Sequence, residues 1–186
     1  TLGKMLQPEA NPGDQLKPYL RAQNILWEKV DTENVKEMWF APCELEKHRI
    51  RKDDLLVSEG GVVGRTAIWA NELEECYVQN SINRVTLSDA VVPRFLMYAF
   101  EMLGTLKTFE IIVNRVSIAH LTREKLKEVA FVLPPKPDQH KIADYLDEKM
   151  SEIDLTVSKI ERSINLLTEY RSSLIHHAVT GKVQVV

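Results

Sequence analysis

The chain has 186 residues, a formal net charge of −3 and two cysteines. That length supplies one globular domain plus an extended element, the near-balanced charge gives no overall basic field for nucleic acid, and two cysteines make no disulfide framework. No apolar run approaches eighteen residues and no signal-peptide pattern is present, so membrane spanning and secretion lack support; the expectation is a reducing cytoplasm with Cys43 and Cys76 as buried thiols.

The abrupt opening at Thr1 is what a piece of a longer polypeptide would show. Residues 7–14 carry Pro8, Asn11, Pro12 and Gly13 and read as a loop. Residues 19–25 alternate well enough for a strand with Arg21 and Gln23 on one side. A helical turn is expected at 44–48. After Ile50, a turn at Lys52-Asp53-Asp54 leads into the apolar strand Leu55-Leu56-Val57, a glycine-rich loop at 59–64 and a strand at 65–69. Further strands are expected at 76–78 and 82–87, joined by Gln79-Asn80-Ser81. Ser88 is positioned to cap a helix with Phe95, Leu96, Ala99, Met102 and Leu103 on one side, ending at Gly104. Residues 109–113 read as a strand, Thr122 as the cap of a short helix to Glu128, and 129–133 as a last strand before the prolines. The fold class is mixed α and β (α+β), followed by one long C-terminal helix.

That helix carries the strongest periodicity. Written in sevens from Pro137, one column reads Ala143, Met150, Val157, Ile164, Arg171, Ala178, and a second reads Leu146, Ile153, Ile160, Leu167, Leu174. An a/d stripe at 3.5 residues per turn is a coiled-coil seam, narrower than the face of a helix lying on a globular core. Pro137 suits the first turn, Asp138, Asp144, Asp147 and Glu148 favour the positive end of the dipole, and Gly181 suits the stop. The rod would run roughly 60 Å and needs a partner along its seam. The cluster Leu133-Pro134-Pro135-Lys136-Pro137 divides the chain into a domain at 1–135 and the helical unit at 136–186. Residues 1–136 carry a formal −1 and residues 137–186 a formal −2.

Several motifs fail on inspection. The loop 59–66 lacks the first glycine and the lysine of a phosphate loop, having Glu59 and Arg65 instead. Leu133-Pro134-Pro135-Lys136 lacks the amide or carboxylate and the aromatic residue of an adenine methyltransferase tetrapeptide. His48, His120, His140, His176 and His177 show no metal-ligand spacing with either cysteine, so no metal and no catalytic constellation is assigned. What remains is a set of polar side chains in loops beside strands: Arg21, Asn24, Ser58, Arg65, Gln79, Asn80, Arg84, Lys107, Asn114, Arg115 and Ser117. Arginine reads guanine, Asn and Gln read adenine, and Arg, Lys and Ser equally bind phosphate.

Together, residues 19–25, 52–65, 133–142, 169–175 and 178–182 resemble the specificity (S) subunit of type I restriction–modification systems. The proline-to-helix junction and the Thr180-Gly181-Lys182 ending carry most of the likeness. Asp138 stands before Gln139 where the family usually has Glu, and Asp53-Asp54 stands for its usual Gly-Asp. The resemblance implies a target recognition domain that reads one half of a bipartite double-stranded DNA site. It also implies a conserved helix that pairs with an equivalent helix, in a second unit or a homodimer. Methyltransferase subunits and a restriction/translocase subunit dock on such a protein, which contributes no catalytic residue and no cofactor; S-adenosylmethionine, ATP and Mg belong to the partners. Family members carry two such units in tandem, so this chain is expected to be a C-terminal half or a natural half-subunit. The near-neutral charge keeps a second reading open, a coiled-coil scaffold whose head binds another protein.

Overall fold

The computed structural model of the chain describes residues 1–112 and 120–183. It divides into two compact units, Thr1–His140 and Lys141–Val186. The first is built on two three-stranded sheets. In one, β1 (Gln15–Leu20) lies between β2 (Lys36–Phe40), antiparallel to it, and β5 (Tyr77–Val78), parallel to it. In the other, β3 (Leu55–Ser58) lies between β4 (Thr66–Ile68) and β6 (Ile82–Val85), antiparallel to both. The helices of this unit are α1 (Pro42–His48), α2 (Pro93–Thr105), α3 (Thr108–Ile112) and α4 (Arg123–Glu128).

Strand β3 explains why the core is continuous. Its run Leu55-Leu56-Val57 is apolar at every position, so both faces of the strand must be covered. Leu56 packs with Leu20, Ile25, Trp69, Val78 and Ile82, whereas Leu55 and Val57 pack with Leu96, Phe100, Phe109 and Leu121. Each such side chain, removed from water, contributes about 1.5–3 kcal/mol. Cys76 is buried with the first group, and that burial pushes its thiol up to about 12. Cys43, expected to be buried, is exposed in the first turn of α1.

Several elements differ from the sequence reading. The strand expected over 19–25 stops at Leu20, and residues Ala22–Asn24 form a 3-10 turn. The Asn24 carboxamide accepts the Arg21 N–H at 3.0 Å and so competes with ladder pairing. Strand β2 was not anticipated, although Met38 and Phe40 alternate inward along it. Of the strand expected at 109–113, residues 109–112 are helical and Val113 lies outside the described residues, a case that periodicity over so few residues cannot settle. Residues 129–133 form no strand: Val129 and Phe131 pack on the α2 core while Val132 is exposed. Helix α2 begins at Pro93, whose fixed φ suits a first turn, and not at Ser88. Its buried stripe is Leu96, Met97, Phe100 and Leu103, with Met102 exposed.

The C-terminal helix α5 (Lys136–Val179) runs unbroken for 44 residues, roughly 66 Å at the usual rise. It ends as its Thr-Gly-Lys sequence suggests: Gly181 adopts φ +71°, and Lys182 N–H returns to the His177 carbonyl at 2.9 Å. The hydroxyls of Thr156, Ser163, Thr168 and Ser172 bond back to the carbonyl four residues earlier. The apolar stripe has no such partner within the helix. Ala143 is buried and Leu146 and Met150 are half-buried, but Ile153, Val157, Ile160, Ile164, Leu167 and Leu174 are exposed, Leu167 at 66%. No helix among the described residues is long and apolar enough to cross a membrane.

Candidate nucleic-acid interface

Three loops of the head meet because of how the strands pair. The parallel register of β1 and β5 sets Leu20 beside Val78, so the chain leaves both strands at the same edge, tied by Gln79 N–H to Leu20 O at 3.0 Å. The antiparallel register of β3 and β6 sets Ser58 opposite Ile82, and Glu59 N–H reaches Ser81 O at 2.9 Å. The 3-10 turn, the glycine turn after β3 and the 79–81 loop therefore surround one cleft of about 630 Å³.

Four of the sequence candidates, Arg21, Arg65, Gln79 and Asn80, line this cleft. Each arginine is anchored by part of its guanidinium. Arg21 Nη2 donates to Asn34 O at 2.6 Å, and Arg65 Nη1 donates to Ile25 O at 3.2 Å. The Nε of each is buried without a partner among the described residues. With five N–H donors per guanidinium, each keeps capacity for an anion or a base edge. Gln79 is half-buried and Asn80 exposed, and neither side-chain amide bonds elsewhere among the described residues.

The glycine turn brings Arg65 to the wall. Gly64 has φ +78°, and a Cβ there would stand 2.2 Å from Phe109 Cδ2, so backbone geometry and packing both demand glycine. Ser58 is buried and spends its Oγ on Gly60 O at 2.7 Å, which shapes the same turn. Asn24 is likewise buried: its amide holds the 3-10 turn and donates to Asp31 O at 2.9 Å. Arg84 is buried away from the cleft, donates to the Arg49 carbonyl and lies 3.8 Å from Asp54. Lys107 sits exposed between α2 and α3 at φ +56° and does not line the cleft. Asn114, Arg115 and Ser117 lie outside the described residues.

The cleft also holds Gln23, Ser81 and His120, none of which was singled out. Gln23 had a signal, its place on the same side as Arg21, and with its amide oxygen turned to the guanidinium it accepts from Arg21 Nη2 at 3.0 Å. His120 arrives from a distant segment that no local pattern ties to the cleft. Beneath it Glu59 is buried, and that burial raises its carboxyl above the usual range, opposed by the nearby His120. The wall is thus locally cationic although the head is near neutral. Among the described residues no group of three or more His, Cys, Asp or Glu is placed to hold a metal.

Residues 11–166 match the type I restriction modification DNA specificity domain. The chain belongs to that family. It is 26% identical over 167 residues to the type I restriction enzyme EcoBI specificity subunit of Escherichia coli, covering 89% of this chain and 33% of that one. A putative type I restriction enzyme specificity subunit of Haemophilus influenzae, S.HindORF215P, is 28% identical over 132 residues, with 68% and 32% covered. This chain therefore spans about a third of the length of those relatives. A solved structure concerned with complex assembly and conformational transition of the type I R-M system aligns with a TM-score of 0.73 at 18% identity, over 94% of this chain and 42% of that one. The HsdS subunit from Thermoanaerobacter tengcongensis gives 0.58 at 20% identity, over 81% and 35%. At these identities the likeness to solved structures concerns the fold: a mixed α and β domain followed by a long helix.

Proposed function

We propose that this chain reads one half of a bipartite DNA site within a type I restriction–modification specificity subunit. Residues 1–135 act as the target recognition domain and residues 136–186 as the pairing and spacing helix. The observation that carries this reading is the convergence of Arg21, Arg65, Gln79 and Asn80 on one cleft of a family member whose net charge is close to zero. The arginines serve guanine or phosphate and the amides serve adenine. Gln23, Ser81 and His120 join that surface, while Asn24 and Ser58 hold the loops that present it and Arg84 braces the sheet away from it. Lys107 is proposed to add a contact from outside the cleft, and Asn114, Arg115 and Ser117 are proposed to touch DNA as well. The exposed seam pairs with a second helix of the same kind, in a second unit or another copy. If two copies pair antiparallel, the site is a palindrome interrupted by a fixed spacer. Methyltransferase subunits then act on adenines turned out of the duplex, and a restriction/translocase subunit completes the assembly. S-adenosylmethionine, ATP and Mg are held by those partners.

The test is retention of a randomised duplex pool by the purified chain with its methyltransferase partner. The proposal expects sequence-selective retention that falls steeply with salt. No retention even at low salt contradicts it and favours a coiled-coil scaffold whose head binds protein, the reading to which the near-neutral charge points.

A further inference from the structure

The first turn of α5 belongs to the head, since residues through His140 group with the globular unit. In that turn Gln139 is completely buried. Its Oε1 accepts the Val92 N–H at 2.8 Å, and its Nε2 donates to Ala90 O at 3.0 Å and to Pro134 O at 2.8 Å. One carboxamide therefore spends its acceptor and its N–H donors on three backbone groups. Two of those groups lie in the loop that opens α2, and the third lies in the proline stretch that opens α5. Pro134, Pro135 and Pro137 have no N–H of their own to offer, and the Gln139 side chain supplies the donor that the stretch lacks.

Apolar packing alone would hold this turn in place while tolerating small rotations about the helix axis. A satisfied buried carboxamide does not, because a rotation pulls the buried Gln139 side chain from three backbone partners at once, the buried Val92 N–H among them. The magnitude matters for a ruler. One base pair of spacer corresponds to roughly 3.4 Å and about 35° of twist, so a junction that wobbles by that much accepts neighbouring spacers. We infer that Gln139 is a positioning residue: it sets the rotation at which the helix leaves the head and so the phase between a reading cleft and its half-site. This rests on the half-site reading proposed above, and the test has one readout that needs no DNA.

The DNA-free readout places nitroxides on exposed Cys43 and on a Ser172→Cys variant, with labelled chain diluted into unlabelled chain; Cys76 is buried. The native chain is expected to give a narrow distance distribution, and Gln139→Met one about twofold broader. Equal widths, narrow or broad, overturn the inference. With DNA, the native chain should prefer one spacer about tenfold over its neighbours, and Gln139→Met should lose most of that preference while keeping its affinity for a single half-site. A lower melting temperature with spacer preference intact would mean a merely structural residue and would also overturn it. Gln139→Glu covers the case in which the methionine variant does not fold. Burial raises a carboxyl pKa, so as pH falls from about 8 to about 5.5 the protonated acid again donates to Pro134 O and accepts from Val92 N–H. Spacer preference and distance width should return toward native over that range, and no recovery contradicts the role. Native chain without DNA selectivity, alongside the expected broadening, sinks the half-site reading and leaves the junction role standing.

Discussion

The two units of this protein put apolar residues to opposite use. In the head, Leu20, Phe40, Leu55, Leu56, Val57 and Ile82 are fully buried, and β1, β3 and β5 run out into the loops of a polar cleft. In the helix, the residues that repeat in sevens stand in solvent, Ile153, Ile160 and Ile164 each more than half exposed. The polar residues divide the same way. In the head, Asn24, Ser58 and Gln139 are buried and bonded to backbone, where they shape loops; along the helix, hydroxyls bond back to their own helix and leave the stripe apolar. The head is a finished fold that presents a surface, whereas the helix leaves its apolar stripe exposed, as half of the proposed interface.

The sharpest way to break this contrast is to charge the seam. Ile160→Asp with Leu167→Asp should weaken self-association by on the order of 4 kcal/mol, about a thousandfold, when measured by sedimentation equilibrium. The urea midpoint of the head should not move. Unchanged association would show that the stripe pairs with nothing of its own kind.

The head responds to smaller changes, and two neighbouring glycines separate packing from backbone geometry. Gly64→Ala meets the Phe109 ring as well as a left-handed φ and should cost about 3 kcal/mol. Gly61→Ala, at φ +73° with open space around it, should cost about 1 kcal/mol. Equal losses in urea unfolding would mean that the Phe109 contact is unimportant.

Acid should act on the head through His48, which is buried between Lys4, Glu44 and Phe40, with its Nδ1 unpartnered among the described residues. Burial, aided by Lys47, lowers its pKa from 6.5 to about 4. The unfolded chain therefore takes up a proton that the folded head refuses. The stability due to neutral His48 is complete above 6.5 and is lost as pH falls toward 4, by up to about 3 kcal/mol. Urea midpoints across that window should fall for the native chain and stay flatter in a His48→Leu variant.

The cleft should show the mildest effects. Arg65→Ala is expected to lower DNA affinity about tenfold and reduce the salt slope by about one if Arg65 holds phosphate. An unchanged slope with relaxed sequence choice would assign it to a base instead.

Legibility in the sequence followed the range of the interactions. The long helix, the buried strand Leu55-Leu56-Val57 and the Thr122 cap of α4 depend on residues within a few positions of each other, and all three stand as read. The cleft depends on strand registers, and these bring Arg21, Arg65 and Gln79 together across nearly sixty residues. Residue type alone could nominate them but could not separate them from Asn24, Ser58 and Arg84, whose side chains the fold turns inward. Strand β2 and the turn at Ala22–Asn24 were missed for a related reason: in one a ladder forms across a charged sequence, and in the other an asparagine side chain ends one early.

The central claim is that paired helices hold two reading heads at a set separation, and the most direct test changes the length of the helix alone. Removing one heptad, residues 154–160, keeps the seam in register and shortens the helix by roughly 10 Å. Selection from a randomised duplex pool with the methyltransferase partner should then return the same half-sites with a spacer about three base pairs shorter, or no selected site at all. Recovery of the native spacer from the shortened chain would contradict the account.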